Sequence, residues 1–193
     1  MKHILFSLTF ALVLFSGFSQ EKSYNITCIA FYNLENLFDT INDPDKNDEE
    51  FLPTGKNLWT GDKYKEKLSH MADVITQIGD EYIKGGPVCI GVSEVENIGA
   101  LTDLANQPKM KASGYMPVLL EGPDRRGVDV GFLYRKDLFT LISYTSHRLV
   151  VADQPDFKTR DQLLVKGIIL SDTVHFIVNH WPSKRGGKRS IAS

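Results

Sequence analysis

The sequence has few cysteines, no large excess of either charge and only one long hydrophobic run. Two cysteines occur in 193 residues, which excludes a fold held together by several disulfides. The formal net charge is −2, so the charge of the whole chain does not favour nucleic acid as a partner. The composition is 42% hydrophobic and 24% charged, and it indicates neither a disordered nor a fibrous protein. What remains is a globular chain, long enough for one well-cored domain or for a piece of a larger one.

The long hydrophobic run lies at the N-terminus and is typical of an export signal. A short positive segment precedes the apolar residues 4–15, and small residues follow at the −3 and −1 positions of a cut after Ser19. The run is too short to be a comfortable membrane anchor. We therefore expect residues 1–19 to be a cleaved signal peptide and residues 20–193 to be one exported domain, periplasmic or extracellular. No stable membrane insertion and no protein partner are indicated.

The rest of the chain alternates between strand-like and helix-like patterns. The apolar spacing of three and four predicts an amphipathic helix over residues 61–78, and Asn97 is a candidate N-cap for a second helix. The two cysteines lie in two strand-like runs that could be neighbours. We expect unpaired buried thiols there, because a disulfide between adjacent strands tends to be strained. The predicted strands are 26–32, 88–93, 115–120, 129–134, 138–144, 163–170 and 173–179, with a tight hairpin at 171–172. This order predicts a mixed α/β fold of layered sheets.

Polar side chains follow three of the predicted strands at the point where each strand ends. They are Asn33 and Glu35, then Glu94, Glu96 and Asn97, then Asn179 and His180. The carboxyl ends of strands are where layered α/β folds place their sites. Carboxylates there are costly to bury unless they bind a cation, and magnesium prefers such oxygen ligands. The pattern therefore indicates a metal site at the strand ends.

Four ordered segments make this expectation more specific, namely FYNLENLFDT, GVSEVEN, RRGVDVGFLYR and IVNHWPSKRGG. Together they resemble the successive motifs of the endonuclease/exonuclease/phosphatase family, which includes deoxyribonucleases, apurinic endonucleases, sphingomyelinases and inositol-phosphate phosphatases. The resemblance implies a four-layer αββα sandwich of two packed sheets. It also implies hydrolysis of phosphodiester bonds with Mg²⁺ as the cofactor, Mn²⁺ or Ca²⁺ being the alternatives.

The resemblance also implies a role for each candidate residue. Asn33 resembles the asparagine that orients the substrate phosphate or the nucleophile, and Glu35 resembles an accessory carboxylate on the metal side. Glu94 matches the glutamate that ligates magnesium. His180 matches the histidine that contacts the scissile phosphate and assists the leaving group. Two further residues resemble substrate-binding positions in a looser motif context: Asp129, a hydrogen-bonding aspartate, and Arg160, a phosphate-binding arginine.

The sequence departs from the family pattern in one respect. The G-D-x-N and S-D-H motifs that complete the family's site do not occur in residues 1–193. We therefore expect this chain by itself to be weakly active or inactive and prone to aggregate through unpaired strand edges. An endonuclease-like phosphodiesterase is the leading interpretation. A phosphatase or sphingomyelinase acting on small or lipid phosphates, and a non-catalytic binding domain, remain open.

Several other residues have ordinary structural explanations. Glu96 is expected to be a solvated residue at the start of a helix and is left out of the site. The histidines at 70, 147 and 175 are expected to be structural. The basic residues that follow His180 form either a solvated helix start or a rim that binds an extended polyanion; they are Lys184, Arg185, Lys188 and Arg189.

Overall fold

The computed structural model describes residues 24–154 and 156–182. The predicted signal peptide and the basic segment 184–189 lie outside the described residues. The strands are β1 (Ile29–Leu37), β2 (Cys89–Val95), β3 (Tyr115–Leu119), β4 (Asp129–Arg135), β5 (Phe139–His147), β6 (Gln162–Ile169) and β7 (Asp172–Val178). The α-helices are α1 (Gly61–Ile75), α2 (Ile98–Ala105) and α3 (Pro108–Ala112), and a 3₁₀ turn covers Glu49–Phe51. Of the described helices, none is both long and apolar enough to cross a bilayer.

The first sheet has four strands in the order β1-β2-β4-β3. β1 runs parallel to β2, whereas β4 is antiparallel to both β2 and β3. β2 is buried at six of its seven positions, as its continuous apolar sequence predicts for a strand that is covered on both faces. The carboxyl ends of β1 and β2 therefore lie side by side at one edge of the sheet.

Helix α1 covers one face of this sheet. Its N-cap Thr60 accepts a hydrogen bond from the Lys63 N–H, and its buried side chains recur at the predicted spacing of three and four. The helix ends at Ile75, three residues earlier than predicted, because the N–H groups of Gln77 and Ile78 bond to carbonyls three residues back and the chain then reaches Gly79 at φ 68°. Asn97 caps α2 as predicted, since its Oδ1 accepts from the Ala100 N–H at 2.8 Å.

The second sheet is antiparallel, in the order β5-β6-β7. Ile169 lies opposite Asp172, so the hairpin loop is Leu170–Ser171, one residue earlier than predicted, with Leu170 at φ 57°. β6 buries every second residue against the first sheet. Gly167 leaves room for the Phe139 ring, because a Cβ at this position would lie 2.0 Å from the ring Cζ.

The two sheets pack face to face over an apolar core. Phe132 from β4 contacts Phe139 from β5 and Phe176 from β7 in this core, with ring centroids 5.8 and 5.1 Å apart. The predicted mixed α/β fold with two packed sheets is confirmed. Helices, the four-stranded sheet and the three-stranded sheet form three of the predicted layers; a second helical layer has no member within residues 24–182.

The two cysteines are free thiols, as the sequence predicts. Ile29 and not Cys28 lies opposite Cys89 in the parallel pair, so the two side chains point to opposite faces of the sheet. Cys89 is fully buried between the sheets, and burial raises its pKa to about 12. Cys28 packs against Gly79 on the helical face, where a Cβ would lie 2.6 Å from its Sγ.

Candidate active site

A pair of adjacent bulges forms the centre of the site. β1 and β2 are in register as far as Asn33 opposite Ser93, and pairing resumes at Leu37 opposite Val95. Three residues of β1 therefore lie beside a single residue of β2, which is Glu94. We call residues 34–36 and Glu94 the double bulge. It brings the predicted Glu35 and Glu94 to the same level on neighbouring strands.

The backbone of the double bulge is unusual for the residues it contains. Glu35, Asn36 and Glu94 have φ values of 50°, 59° and 59°, in the left-handed region that residues other than glycine seldom adopt. Asn33 supports this conformation, because its Oδ1 accepts the Glu35 N–H at 2.7 Å. Bulges and left-handed residues of this kind cluster at functional sites, where they redirect side chains. The chain thus holds two glutamates together at a conformational cost.

His180 reaches the double bulge from the second sheet. It follows β7, and its Nε2 lies 3.3 Å from Oε1 of Glu94, with both side chains only about a fifth exposed. β7 can approach β2 because Gly91 has no side chain; a Cβ there would lie 3.2 Å from Val178. Burial and then the positive charge of Arg160 lower the pKa of His180, while Glu94 opposes them. The structure therefore places Glu94 and Arg160 beside His180, although the three residues lie far apart in sequence.

Arg160 lies beside this group and is bound to other protein groups. Its guanidinium forms a buried ion pair with Asp124 at 3.1 Å and donates to the Trp181 carbonyl at 3.3 Å. The residue thereby ties the loop between β3 and β4 to the segment that carries His180. Its Nε is buried and makes no hydrogen bond within the described part of the chain. The phosphate-binding role of Arg160 stays a prediction, and the positioning of His180 is the role that these contacts support.

Asp129 supports the same loop from the first sheet. The residue begins β4 opposite Val95, is 2% exposed, and accepts the Gly122 N–H on Oδ1 at 2.9 Å. Burial raises its pKa to about 6, although the Gly122 hydrogen bond and the charge of Lys46 act in the other direction. Its contacts are with the protein, and its predicted hydrogen bond to substrate stays a prediction.

Replacing Asp129 by asparagine is expected to flatten the pH dependence of stability between about pH 4 and pH 6. The folded protein keeps this proton up to about pH 6, whereas the unfolded chain loses it near the ordinary value of 3.8. The wild type therefore loses up to ~3 kcal/mol of unfolding free energy as pH rises across this window. Asparagine keeps an oxygen for the Gly122 N–H and has no proton to lose.

Urea unfolding at pH 4 and pH 7 measures this effect. The exposed Asp172 provides the control, because Asp172→Asn is expected to retain the wild-type difference between the two pH values. An equal pH dependence in Asp129→Asn and in the wild type would show that the Asp129 carboxyl does not carry the effect.

A polar pocket of about 90 Å³ opens next to His180. Several of its walls carry buried polar atoms that make no hydrogen bond within the described residues, which are Thr159 Oγ1, Arg160 Nε and Asn179 Oδ1. Buried polar atoms of this kind need water or a ligand as a partner. The pocket therefore offers a place for the part of a substrate that lies beyond His180.

Glu96 is more buried than the sequence predicts. It is 7% exposed rather than solvated, and its Oε2 accepts the Asp39 N–H at 2.7 Å. Burial, followed by the nearby carboxylates of Asp39, Asp48 and Asp43, raises its pKa to about 7. The expectation of a solvated helix start is wrong because the chain after β1 folds back over this glutamate.

A comparison with protein families identifies the family of the chain. A family model described as Endonuclease/Exonuclease/phosphatase family matches residues 28–192. The chain belongs to the endonuclease/exonuclease/phosphatase family. No curated protein matches the sequence. Enzymes of this family are hydrolases of phosphodiester bonds and generally use divalent metal ions.

Solved structures with the same fold are distant in sequence. A humanized D. rerio TDP2 with 14 mutations is 13% identical with a TM-score of 0.50, over 84% of this chain and 50% of that one. A family protein from Bacteroides thetaiotaomicron is 18% identical with a TM-score of 0.47, over 84% and 52%. D. rerio TDP2 in complex with a single-strand DNA product is 16% identical with a TM-score of 0.46, over 84% and 48%. The chain thus spans about half the length of these proteins.

The chemistry of the donor set agrees with the metal that the family implies. No three His, Cys, Asp or Glu side chains converge on one metal position in the part of the chain that the structure describes. Glu35 and Glu94 offer two carboxylates on adjacent strands. Magnesium commonly takes one or two protein carboxylates and completes its shell with phosphate oxygens and water. Two glutamates at the double bulge fit that requirement.

Proposed function

We propose that the protein is an exported, magnesium-dependent phosphodiesterase that cleaves nucleic acid internally. The observation that carries this proposal is the contact between Glu94 and His180 across the two sheets, next to Glu35 in the double bulge. Glu35 and Glu94 lie on adjacent strands, where they offer two carboxylates to a cation, and His180 lies beside Glu94 for proton transfer. The family supports hydrolysis of a phosphodiester; export, magnesium and a nucleic-acid substrate are our proposals.

Each residue has a role that follows from its position. Glu94 and Glu35 would hold the divalent cation, which withdraws negative charge from the phosphoryl oxygens as a Lewis acid. Asn33 keeps Glu35 in its left-handed conformation through the Oδ1 hydrogen bond. His180 lies on the pocket side and donates a hydrogen bond or a proton to the leaving oxygen. Arg160 holds the backbone next to His180 in place through Trp181.

The test is cleavage of closed circular plasmid DNA by the longest form of the protein that can be expressed. This DNA has no ends, so nicked and linear products show internal cleavage. We expect cleavage with Mg²⁺ and none after chelation of divalent metal. Cleavage that survives chelation contradicts the mechanism. Hydrolysis of phosphomonoesters or sphingomyelin without DNA cleavage would favour the phosphatase or sphingomyelinase alternative, and DNA binding without cleavage would favour a binding domain.

A further inference from the structure

Lys67 contacts the double bulge from helix α1, although the sequence gives no indication of a functional role for it. Its Nζ donates hydrogen bonds to the backbone carbonyls of Glu35 and Asn36, the second at 3.2 Å. The ammonium group also lies 5.5 Å from the ring centroid of Trp59. Trp59 is held in turn, because its Nε1 donates to the Phe38 carbonyl at 3.0 Å. Lys67 is therefore fixed between α1 and the part of β1 that carries Glu35.

Lys67 supplies a donor to the backbone of the double bulge. The left-handed conformations of Glu35 and Asn36 take their carbonyls out of the regular ladder between β1 and β2. The Asn36 carbonyl also accepts the Phe38 N–H at 3.1 Å, and Lys67 links it to the Glu35 carbonyl. A lysine ammonium has three N–H donors and no acceptor, so a single side chain can serve both carbonyls. Lys67 thus stabilises the conformation that places Glu35 beside Glu94.

The charge of Lys67 acts on the same two glutamates. The ammonium lies at the backbone of the double bulge that carries both glutamates, even though its hydrogen bonds go to carbonyls. A positive charge in this position weakens the binding of a cation through Coulomb repulsion alone. If a cation binds here, the hydrogen bonds of Lys67 must favour its binding more than the charge of Lys67 disfavours it.

We propose that Lys67 is a positioning residue that sets the double bulge so that Glu35 and Glu94 bind one divalent cation together. The inference rests on the proposed function, since it assumes the metal centre at these glutamates. The direction in which cation affinity changes when Lys67 is replaced distinguishes a positioning role from a purely electrostatic one. Removal of the charge alone would tighten cation binding, whereas loss of the positioning contact weakens it. The two explanations therefore predict opposite changes in affinity.

The experiment measures Mn²⁺ affinity by electron paramagnetic resonance in the wild type and in Lys67→Met. We expect the dissociation constant to rise by about 10-fold, the lower end of what the loss of a supporting contact costs a metal site. Lys67→Arg keeps both the charge and the donors, and it is expected to retain most of the affinity. Lys63→Met is the matched control on the same helix, because the Lys63 Nζ contacts only the Asn57 carbonyl in the described structure. The control is expected to bind Mn²⁺ like the wild type.

The outcomes separate this inference from the proposed function. Unchanged or tighter Mn²⁺ binding by Lys67→Met, with Glu94→Gln weakening it, overturns the role of Lys67 and leaves the metal centre intact. Binding that Glu94→Gln does not weaken contradicts the metal centre and this inference together. If Lys67→Met does not fold, Lys67→Gln takes its place, because its amide removes the charge and its side chain, one bond shorter, does not serve both carbonyls. Wild-type or tighter affinity in Lys67→Gln then overturns the positioning role, and weaker binding that Lys67→Arg does not show supports it.

Discussion

Replacing Glu94 by glutamine is expected to lower kcat/KM for phosphodiester hydrolysis by about 10³-fold in the longest active form of the protein. The substitution keeps the size of the side chain and removes its negative charge. Glu94 is the single residue of β2 in the double bulge, and it also contacts His180 at 3.3 Å. Its loss therefore weakens the cation site and changes the surroundings of the histidine in one step.

The control for this prediction is Glu66→Gln. Glu66 is an exposed glutamate on α1, next to Lys67 in sequence, and it is expected to retain wild-type activity. Thermal unfolding of both variants separates loss of chemistry from loss of fold. We expect no loss of stability in Glu94→Gln, because no backbone N–H of the described residues donates to the carboxylate and the adjacent strand carries the like charge of Glu35. Retention of more than a tenth of wild-type activity at saturating Mg²⁺ would remove Glu94 from the metal centre.

The periodicity of the sequence predicts the parts of the fold that depend on burial. The alternation in β6 and the apolar run in β2 identify their strands because every second or every side chain there is buried. Asn97 is predictable as an N-cap because its hydrogen bond closes within three residues. The position of the candidate site is also predictable. A polar residue directly after an apolar strand marks the carboxyl end of that strand, where layered α/β folds place their sites.

The double bulge and the contacts that hold it cannot be predicted from sequence periodicity, because they join residues that lie far apart in the chain. The left-handed conformation of Glu94 cannot be inferred from a glutamate, which seldom adopts it. Lys67 donates to carbonyls 31 and 32 residues away, and backbone acceptors leave no trace in the identity of the residue. The pairing of Arg160 with Asp124 spans 36 residues. Lys67 is a partly buried lysine on the helix that covers the site, and this burial is visible only in the structure.

Asp129 and Arg160, which the family resemblance predicts to bind substrate, both form hydrogen bonds to the loop between β3 and β4. Asp129 anchors the loop at Gly122, and Arg160 anchors the same loop at Asp124. The loop is thereby fixed at two points between the end of β3 and the start of β4. Arg160 also binds the carbonyl of Trp181, directly after His180. The histidine is therefore held by contacts on both sheets.

Replacing His180 by asparagine is expected to lower the rate of DNA cleavage by about 10²- to 10³-fold. The imidazole lies between Glu94 and the polar pocket, where it can reach a leaving oxygen. Burial and Arg160 make it a stronger acid than an ordinary histidine by lowering its pKa. Asparagine retains an N–H donor but cannot transfer a proton. The loss should therefore reflect the proton transfer more than the hydrogen bond.

The leaving group provides the decisive comparison for His180. A deoxyribose alkoxide needs a proton as it leaves, whereas nitrophenolate is stable without one. His180→Asn is therefore expected to slow hydrolysis of bis-p-nitrophenyl phosphate by less than about 10-fold while it nearly abolishes DNA cleavage. His175 is an exposed histidine on β7, the strand that precedes His180, and His175→Asn should leave both rates unchanged. Equal losses on the two substrates would mean that His180 binds the phosphate and that the proton for the leaving oxygen comes from another group.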